Sequence, residues 1–326
     1  MESRHREALR SLAESSGLLS GNMRALQADM LDGVLSMDEL IKSESTLDDA
    51  EKTQLPTVGD SMRLIEKEFP ELPSLIYDGP FSNHLSDRRP RMLEGGEEID
   101  ENEGRDIAAG FLRIGHTRVY PAGESSGELP CIYYQAERSN GDTVSVAVTK
   151  QGGRILSMLS SHSPGEAVID IEEGRRIAAD FLRSRGYRDM EESYHMLQGG
   201  VLTVNFAYVQ DDVTCYPDLI KVAVAMDKGE VCGFEAMGYI SCHGERELPA
   251  AQLSAEEAAA KLPGEMEREH KGLALIPTAG GEERLCHEFI CSDGEDRRFI
   301  VYVNALSGEQ EKILLLLEDE NGSLTL

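Results

Sequence analysis

Few of the side chains able to do chemistry stand at the spacing that chemistry requires. The six cysteines, Cys131, Cys215, Cys232, Cys242, Cys286 and Cys291, include no C-x-x-C pair, which removes the usual redox and zinc-ribbon patterns. Several fall in apparent strands, where a free thiol behaves as a small apolar residue, so they are expected buried and unbonded. Cys242-His243 and Cys286-His287 could be imagined as a Cys₂His₂ zinc site, but such sites carry tighter C-x₂₋₄-C or H-x₃₋₅-H spacing. Adjacent strand residues also point to opposite faces, so a buried Cys beside an exposed His is the expected arrangement. Asp211-Asp212 and Glu318-Asp319-Glu320 offer carboxylates of the kind calcium takes, yet neither follows an EF-hand loop, and both read as solvated acidic loops. Paired carboxylates are too abundant to single any out for glycosidase work. G-x-S-x-G, H-E-x-x-H and Walker A patterns are absent, and Gly199-Gly200 and Gly280-Gly281 read as turns. No catalytic, cofactor-binding or metal-binding residue is assigned, and no enzymatic activity is expected. Binding remains. Only 6% of residues are aromatic and none is Trp, so Tyr77, Phe81, Phe234 and Tyr239 stand out as a candidate anchor patch. The alternative for Phe234 and Tyr239 is that they fill a core.

Composition narrows the partner. The chain has 326 residues, 32 basic against 60 acidic, a net charge of −28. So acidic a surface repels nucleic-acid phosphates and anionic lipid and suits a basic or cationic partner. The length suggests two or three domains. No apolar run reaches about 18 residues, the span of a membrane helix, and the start from Met1 to Arg6 leads into no signal-like apolar segment.

The elements that must position these residues follow a pattern. Residues 1–70 read as a helical segment. Leu12, Leu19 and Leu26 recur every seven residues, as do Met23, Met30 and Met37, and a second stripe runs through Val58, Met62, Ile65 and Phe69. Residues 71–97 read as a short strand, a Tyr77-Asp78-Gly79-Pro80-Phe81 turn, and an exposed polar linker carrying Arg88, Arg89 and Arg91.

After residue 98 the chain duplicates itself. Ile99–Arg113 and Ile169–Arg183 are identical at 11 of 15 positions at an offset of 70, and a fainter third copy begins at Leu253. Asp100, Asp170 and Ser254 are predicted helix N-caps, each with a Glu three residues on: Glu103, Glu173 and Glu257. The strands Cys131–Glu137, Thr143–Thr149 and Arg154–Leu159 follow in the first copy, with a hairpin at Asn140-Gly141. The second copy predicts Val201–Val209, a loop from Asp211 to Pro217, Leu219–Met226 and Val231–Ser241. The third predicts Leu285–Cys291, Arg297–Ala305 and Lys312–Leu317. Gly153, Gly229 and Gly308 mark the turn before each last strand. The fold class is therefore α+β, an N-terminal helical segment followed by three tandem repeats at 98–166, 167–247 and 248–326. Each repeat is one helix packed on its own antiparallel meander of three or four strands.

This helix-then-meander unit resembles the PepSY domain. The tandem arrangement resembles the YpeB family of germination proteins from spore-forming bacteria. The stretches that carry the likeness are Leu75–Ser82, Leu219–Val222, Asp227–Val231, Gly233–Tyr239, and Tyr302–Ala305 through Ile313–Leu315, together spanning roughly residues 70 to 326. The resemblance implies a non-enzymatic protein, without cofactor, that binds, stabilises or restrains a spore cortex-lytic, peptidoglycan-cleaving enzyme. It implies a place in the spore envelope, at the outer face of the spore inner membrane or the cortex. Membrane contact would come only through an N-terminal anchor not visible in this chain. The expected partner-binding residues are Tyr77, Asp78, Gly79, Pro80 and Phe81, with Phe234, Glu235 and Tyr239. A peptidoglycan- or calcium-binding module of the envelope is the second reading, and a cryptic hydrolase the third.

Overall fold

The computed structural model describes residues 90–126, 129–138, 141–264, 266–278, 282–292, 297–319 and 322–325. The expected N-terminal helical segment and the Tyr77–Phe81 turn lie outside them.

Helix α1 (Glu101–Leu112) leads into strands β1 (Val119–Glu124), β2 (Cys131–Glu137), β3 (Thr143–Thr149) and β4 (Ile155–Ser160). Helix α2 (Ile171–Ser184) leads into β5 (Met190–Gln198), β6 (Val201–Gln210), β7 (Val213–Ala225) and β8 (Glu230–Glu235), then the short α3 (Met237–Cys242). The brief α4 (Ala255–Ala259) precedes β9 (Glu267–Pro277), β10 (Glu283–Ser292), β11 (Arg298–Asn304), β12 (Gln310–Asp319) and β13 (Gly322–Thr325).

The caps do what their residue types dictate. Asp100 accepts from the Asn102 and Glu103 amides while Glu103 accepts from the Asp100 amide, a reciprocal box. Ser254 and Glu257 form the same box at α4. At α2 only half forms: Asp170 caps the Glu173 amide, and the Glu173 carboxylate pairs with Arg176 instead. The duplicated helices also share a glycine with a packing reason. A Cβ on Gly104 would lie 2.3 Å from the Tyr134 hydroxyl, and one on Gly174 would lie 2.6 Å from Leu202, so each helix reaches its sheet only without a side chain there.

The sheets are not three. Strands pair in one mixed order, β1-β2-β3-β4-β8-β7-β6-β5-β13-β12-β11-β10-β9, with β7 also parallel to β9. The β4–β8 pairing, Met158 opposite Phe234, joins the first two segments edge to edge. Helices α1 and α2 then cover one face of a continuous eight-stranded sheet. Their apolar sides merge into a single core, including Ala108, Phe111, Ala178, Leu182, Val146, Val222 and Phe234. A row of rings marks the join: Phe111 lies 5.6 Å from Phe181 and 5.0 Å from Phe234, centroid to centroid, a geometry that adds to plain burial. At the other end the parallel pairing of Val213–Cys215 with Leu273–Leu275 closes a ring of strands β5, β6, β7, β13, β12, β11, β10 and β9.

Several expectations are corrected. The described end of the polar linker is not simply exposed, because Leu93 is buried in the main core. The predicted loop from Asp211 to Pro217 is strand. Asp211 and Asp212, at φ 50° and 62°, make a tight hairpin turn, and β7 runs on through Pro217, which sits in a bulge between Cys215 and Leu219 where no ladder hydrogen bond is needed. The predicted strand Val231–Ser241 stops at Glu235 and turns into α3, whose Gly238 abuts the backbone oxygens of Pro217 and Leu219. Strands β1, β5, β9 and β13 were not anticipated.

Candidate functional site

The chain beyond α3 carries residues toward β9, and it is tied down by charge. Asp218, in the β7 bulge and fully buried, accepts two hydrogen bonds from Arg246 at 2.6 and 2.9 Å. The same guanidinium reaches Glu283 of β10 at 2.9 and 3.0 Å and the Gly244 and Cys242 carbonyls. His243 Nδ1 lies 2.9 Å from Asp218, and the ring stacks on Tyr239 at 4.0 Å. Burial opposes the charge on Arg246, but the hydrogen bonds to Glu283 and Asp218 outweigh it and raise its pKa. Planar, bidentate pairing of this kind is what arginine does best. It fixes geometry and offers no displaceable group.

Inside the strand ring beside this clamp is a cavity of about 300 Å³. Leu219, Ile290, Ile300, Leu314 and Leu316 line it with apolar surface, and Tyr194, Tyr216 and Tyr302 add rings. The bulge in β7 lets Tyr216 and Leu219, three residues apart, both face it. Glu288 of β10 is 9% exposed and takes hydrogen bonds from the Tyr216 hydroxyl at 2.9 and 3.1 Å. Tyr302 hydrogen-bonds Tyr216 in turn. Burial lifts the Glu288 carboxyl to about 7, although Tyr216 and the more distant Lys271 pull the other way. Nothing in the local sequence marks Glu288, since its partner is 72 residues away. An acidic residue inside the strand-like run Leu285–Cys291 was the one available signal.

The expected partner-binding residues are not brought together on a surface. Phe234 and Tyr239 are 3% and 9% exposed and serve the shared core, where Tyr187 lies 5.5 Å from Phe234 and 5.4 Å from Tyr239. As exposed anchors they are therefore corrected. They do fill a core, but it is the one shared by the first two segments rather than a second core of their own. Glu235 is partly exposed, accepts from the Met237 amide and pairs with Lys221 at 3.6 Å. The Cys-His pairs are apart: His287 hydrogen-bonds the Leu253 carbonyl and His270, while Cys242 and His243 belong to the clamp. His287 is 4% exposed, so its expected exposure is also corrected. Among the described residues no group of three or more His, Cys, Asp or Glu is arranged to hold a metal ion. All six cysteines are buried free thiols, and burial pushes Cys131 to about 11 and Cys215 and Cys286 to about 12, which makes them poor nucleophiles.

A second surface was missed by sequence reasoning. On the face of β1–β4 turned away from the helices, Tyr120, Tyr133 and Leu159 are 59%, 39% and 68% exposed. Register puts them on one face, with Tyr120 and Leu159 three strands apart. Tyr133 lies opposite Ala147, which lies opposite Ser157, and Tyr120, Gln135, Ser145 and Leu159 form the next row. Small neighbours leave these three side chains standing clear of the sheet.

Comparison with known proteins places the chain. Residues 58–249, more than half of it, match the family model of YpeB sporulation, PepSY1 and PepSY2 domains. A sporulation protein YpeB of Halalkalibacterium halodurans is 28% identical over 309 residues, covering 85% of this chain and 68% of that protein. One from Bacillus subtilis (strain 168) is 26% identical over 277 residues, covering 83% of this chain and 61% of that protein. The solved Bacillus megaterium YpeB C-terminal domain superposes with a TM-score of 0.60 at 22% identity, covering 68% of this chain and all of that one, a likeness of fold. No helix among the described residues is long and apolar enough to cross a membrane.

Proposed function

Since the chain belongs to the YpeB family of sporulation proteins, we propose that it is a non-enzymatic binding protein that holds a spore cortex-lytic, peptidoglycan-cleaving enzyme and thereby stabilises or restrains it in the spore envelope, at the outer face of the inner membrane or the cortex. Three PepSY-like units at 98–166, 167–247 and 248–326 form the scaffold in this reading. The recurrence of helix then strands supports that division, as do Gly153, Gly229 and Gly308 with φ of 58°, 64° and 77° in corresponding turns.

The observation that carries the proposal is the open sheet face of β1–β4. Tyr120, Tyr133 and Leu159 are exposed apolar residues sharing one sheet face on a chain of net charge −28. Exposed apolar side chains on an acidic chain fit a basic protein partner, with charge steering the encounter and the rings holding it. Tyr77–Phe81 are proposed as further contacts.

Calorimetry of the chain with the purified enzyme, at low and moderate salt, tests this. A saturable complex that weakens with salt and is lost in a Tyr133→Ser, Leu159→Asp double variant is expected. Absence of binding with both proteins folded would overturn the reading, as would binding that the double variant leaves intact. Purified cortex without enzyme serves as the comparison arm, and binding there in high salt would favour a wall-binding module.

A further inference from the structure

The cavity within the strand ring is separate from the proposed docking face, and its chemistry is selective. Six apolar side chains, Leu219, Leu273, Ile290, Ile300, Leu314 and Leu316, surround a buried carboxyl. Its volume of about 300 Å³ sits at the lower end of cavities that hold small organic ligands. Other charged groups at the cavity are engaged elsewhere. Glu192 is paired with Arg175 at 2.8 Å and contacts His195 at 2.8 Å. Lys271 is 46% exposed and pairs with Glu269 at 3.4 Å, and Glu191 is exposed. Among the described residues no cation lies within ion-pair distance of Glu288. Its hydrogen-bond partner is the Tyr216 hydroxyl, which holds the carboxylate in place and is itself bonded to Tyr302, the two rings packing edge to face at 6.0 Å. A buried carboxylate without a counter-charge is costly, and a cation seated beside it in the cavity relieves that cost. An anion would meet Glu288, and a neutral apolar molecule would leave it without a counter-charge.

We propose that this cavity is a binding site for a primary ammonium group on a short apolar stem, with Glu288 as its counter-ion. The ammonium could arrive on a free small amine or on a lysyl side chain of a protein.

The test titrates n-butylammonium into the intact chain by calorimetry at pH 6, 7 and 8, with n-butanol as the neutral isostere. The amine stays protonated throughout this range, since alkyl ammonium groups titrate near 10. The groups facing Glu288 that could also respond are Lys271 on β9, Glu191, Glu192 and Tyr194 on β5, Tyr216 on β7 and Tyr302 on β11. Burial pushes Tyr216 and Tyr302 further above the ordinary phenol value, away from this range.

Saturable binding is expected at pH 8, with butanol at least about tenfold weaker. Affinity should fall about tenfold for each pH unit below 7, because ammonium and proton compete for one carboxylate. Glu288→Gln should weaken binding at pH 8 about tenfold or more and remove the pH dependence, whereas Lys271→Gln should keep saturable binding and a pH dependence whose midpoint moves slightly upward. Tyr216→Phe, which removes one donor to the carboxylate, should move the pH midpoint upward and gives a second reading if Glu288→Gln does not fold. Competition by N-acetyl-lysine amide identifies a lysyl side chain as an acceptable source, and failure of that peptide to compete identifies a free amine. No saturable binding by the folded wild-type chain at pH 8, or equal affinity for butanol and for the Glu288→Gln protein, would overturn the proposal.

Discussion

Where the strands of the first segment meet those of the second, Phe111, Phe181 and Phe234 touch across one apolar core and β4 pairs directly with β8. Where the second segment meets the third, the groups that meet are Asp218, Arg246 and Glu283 in one place and Tyr216 and Glu288 in another, with a cavity beside them. The core of the first junction is apolar, with the pairs His162–Asp227, Arg138–Glu230 and Lys228–Asp142 alongside it, and its hydrophobic contacts are non-directional and additive in area. The second has a small apolar cluster of Val213, Cys215, Leu275, Leu285 and Ala305 but adds buried charges, which stabilise only while every partner is in place. The same kind of helix-and-strand segment thus makes a rigid fusion on one side and a join with internal space on the other. The helices follow suit. α1 and α2 run 12 and 14 residues over the shared core, whereas α4 has five residues and buries Ala258.

Substitutions can break this contrast. Phe234→Ala removes the ring on which the first junction converges. A buried Phe→Ala costs about 4 kcal/mol, and both flanking segments should lose stability together in chemical denaturation; selective loss of one segment would separate them. Arg246→Ala leaves Asp218 buried beside His243 alone. It should cost about 3 kcal/mol, with an early transition confined to β9–β12 when followed by limited proteolysis.

Glu288 sharpens the contrast through pH. In the folded chain it keeps its proton up to about 7, against 4.5 for an exposed glutamate. The folded state therefore binds more protons between these values. The contribution of this group is full below about pH 4.5, is lost as pH rises through 7, and is level above. A tenfold difference in proton affinity between folded and unfolded chain is worth about 1.4 kcal/mol, so the loss across this window is about 3.5 kcal/mol at most. Glu288→Gln should flatten this slope in a pH series of urea midpoints. Ser254→Ala has the smallest expected effect. It removes one side of the α4 capping box at about 1 kcal/mol, read in the melting temperature, and it should leave the α1–α2 core unaffected.

Local physics made much of the first junction readable. Val144, Val146 and Val148 alternate with smaller or polar residues, so β2 and β3 fall at Cys131–Glu137 and Thr143–Thr149 as expected. Asp100 and Ser254 announce their helices because capping is decided within four residues. The second junction was hidden for the opposite reason. β5, with sequence MEESYHMLQ, is half-buried along most of its length, so it shows no apolar alternation. Pro217 argues locally for a loop, yet the bulge accommodates it within β7. Strand pairing across segments is set by edges that no single window contains, which is why three sheets were expected and one mixed sheet is found. The candidate site suffered most. Phe234 and Tyr239 stood out as aromatic residues, but aromaticity does not distinguish a surface anchor from a core ring. Tyr120, Tyr133 and Leu159 are seen to share one face only through register.

Native-state hydrogen exchange across the whole chain tests the central contrast most directly. The account predicts one common opening free energy for amides of β2, β3, β6 and β7, since they share a core, and a distinctly lower one for β9–β12, which open around the cavity. Separate openings for β2–β3 and β6–β7, or a single value for all of these strands, would contradict it.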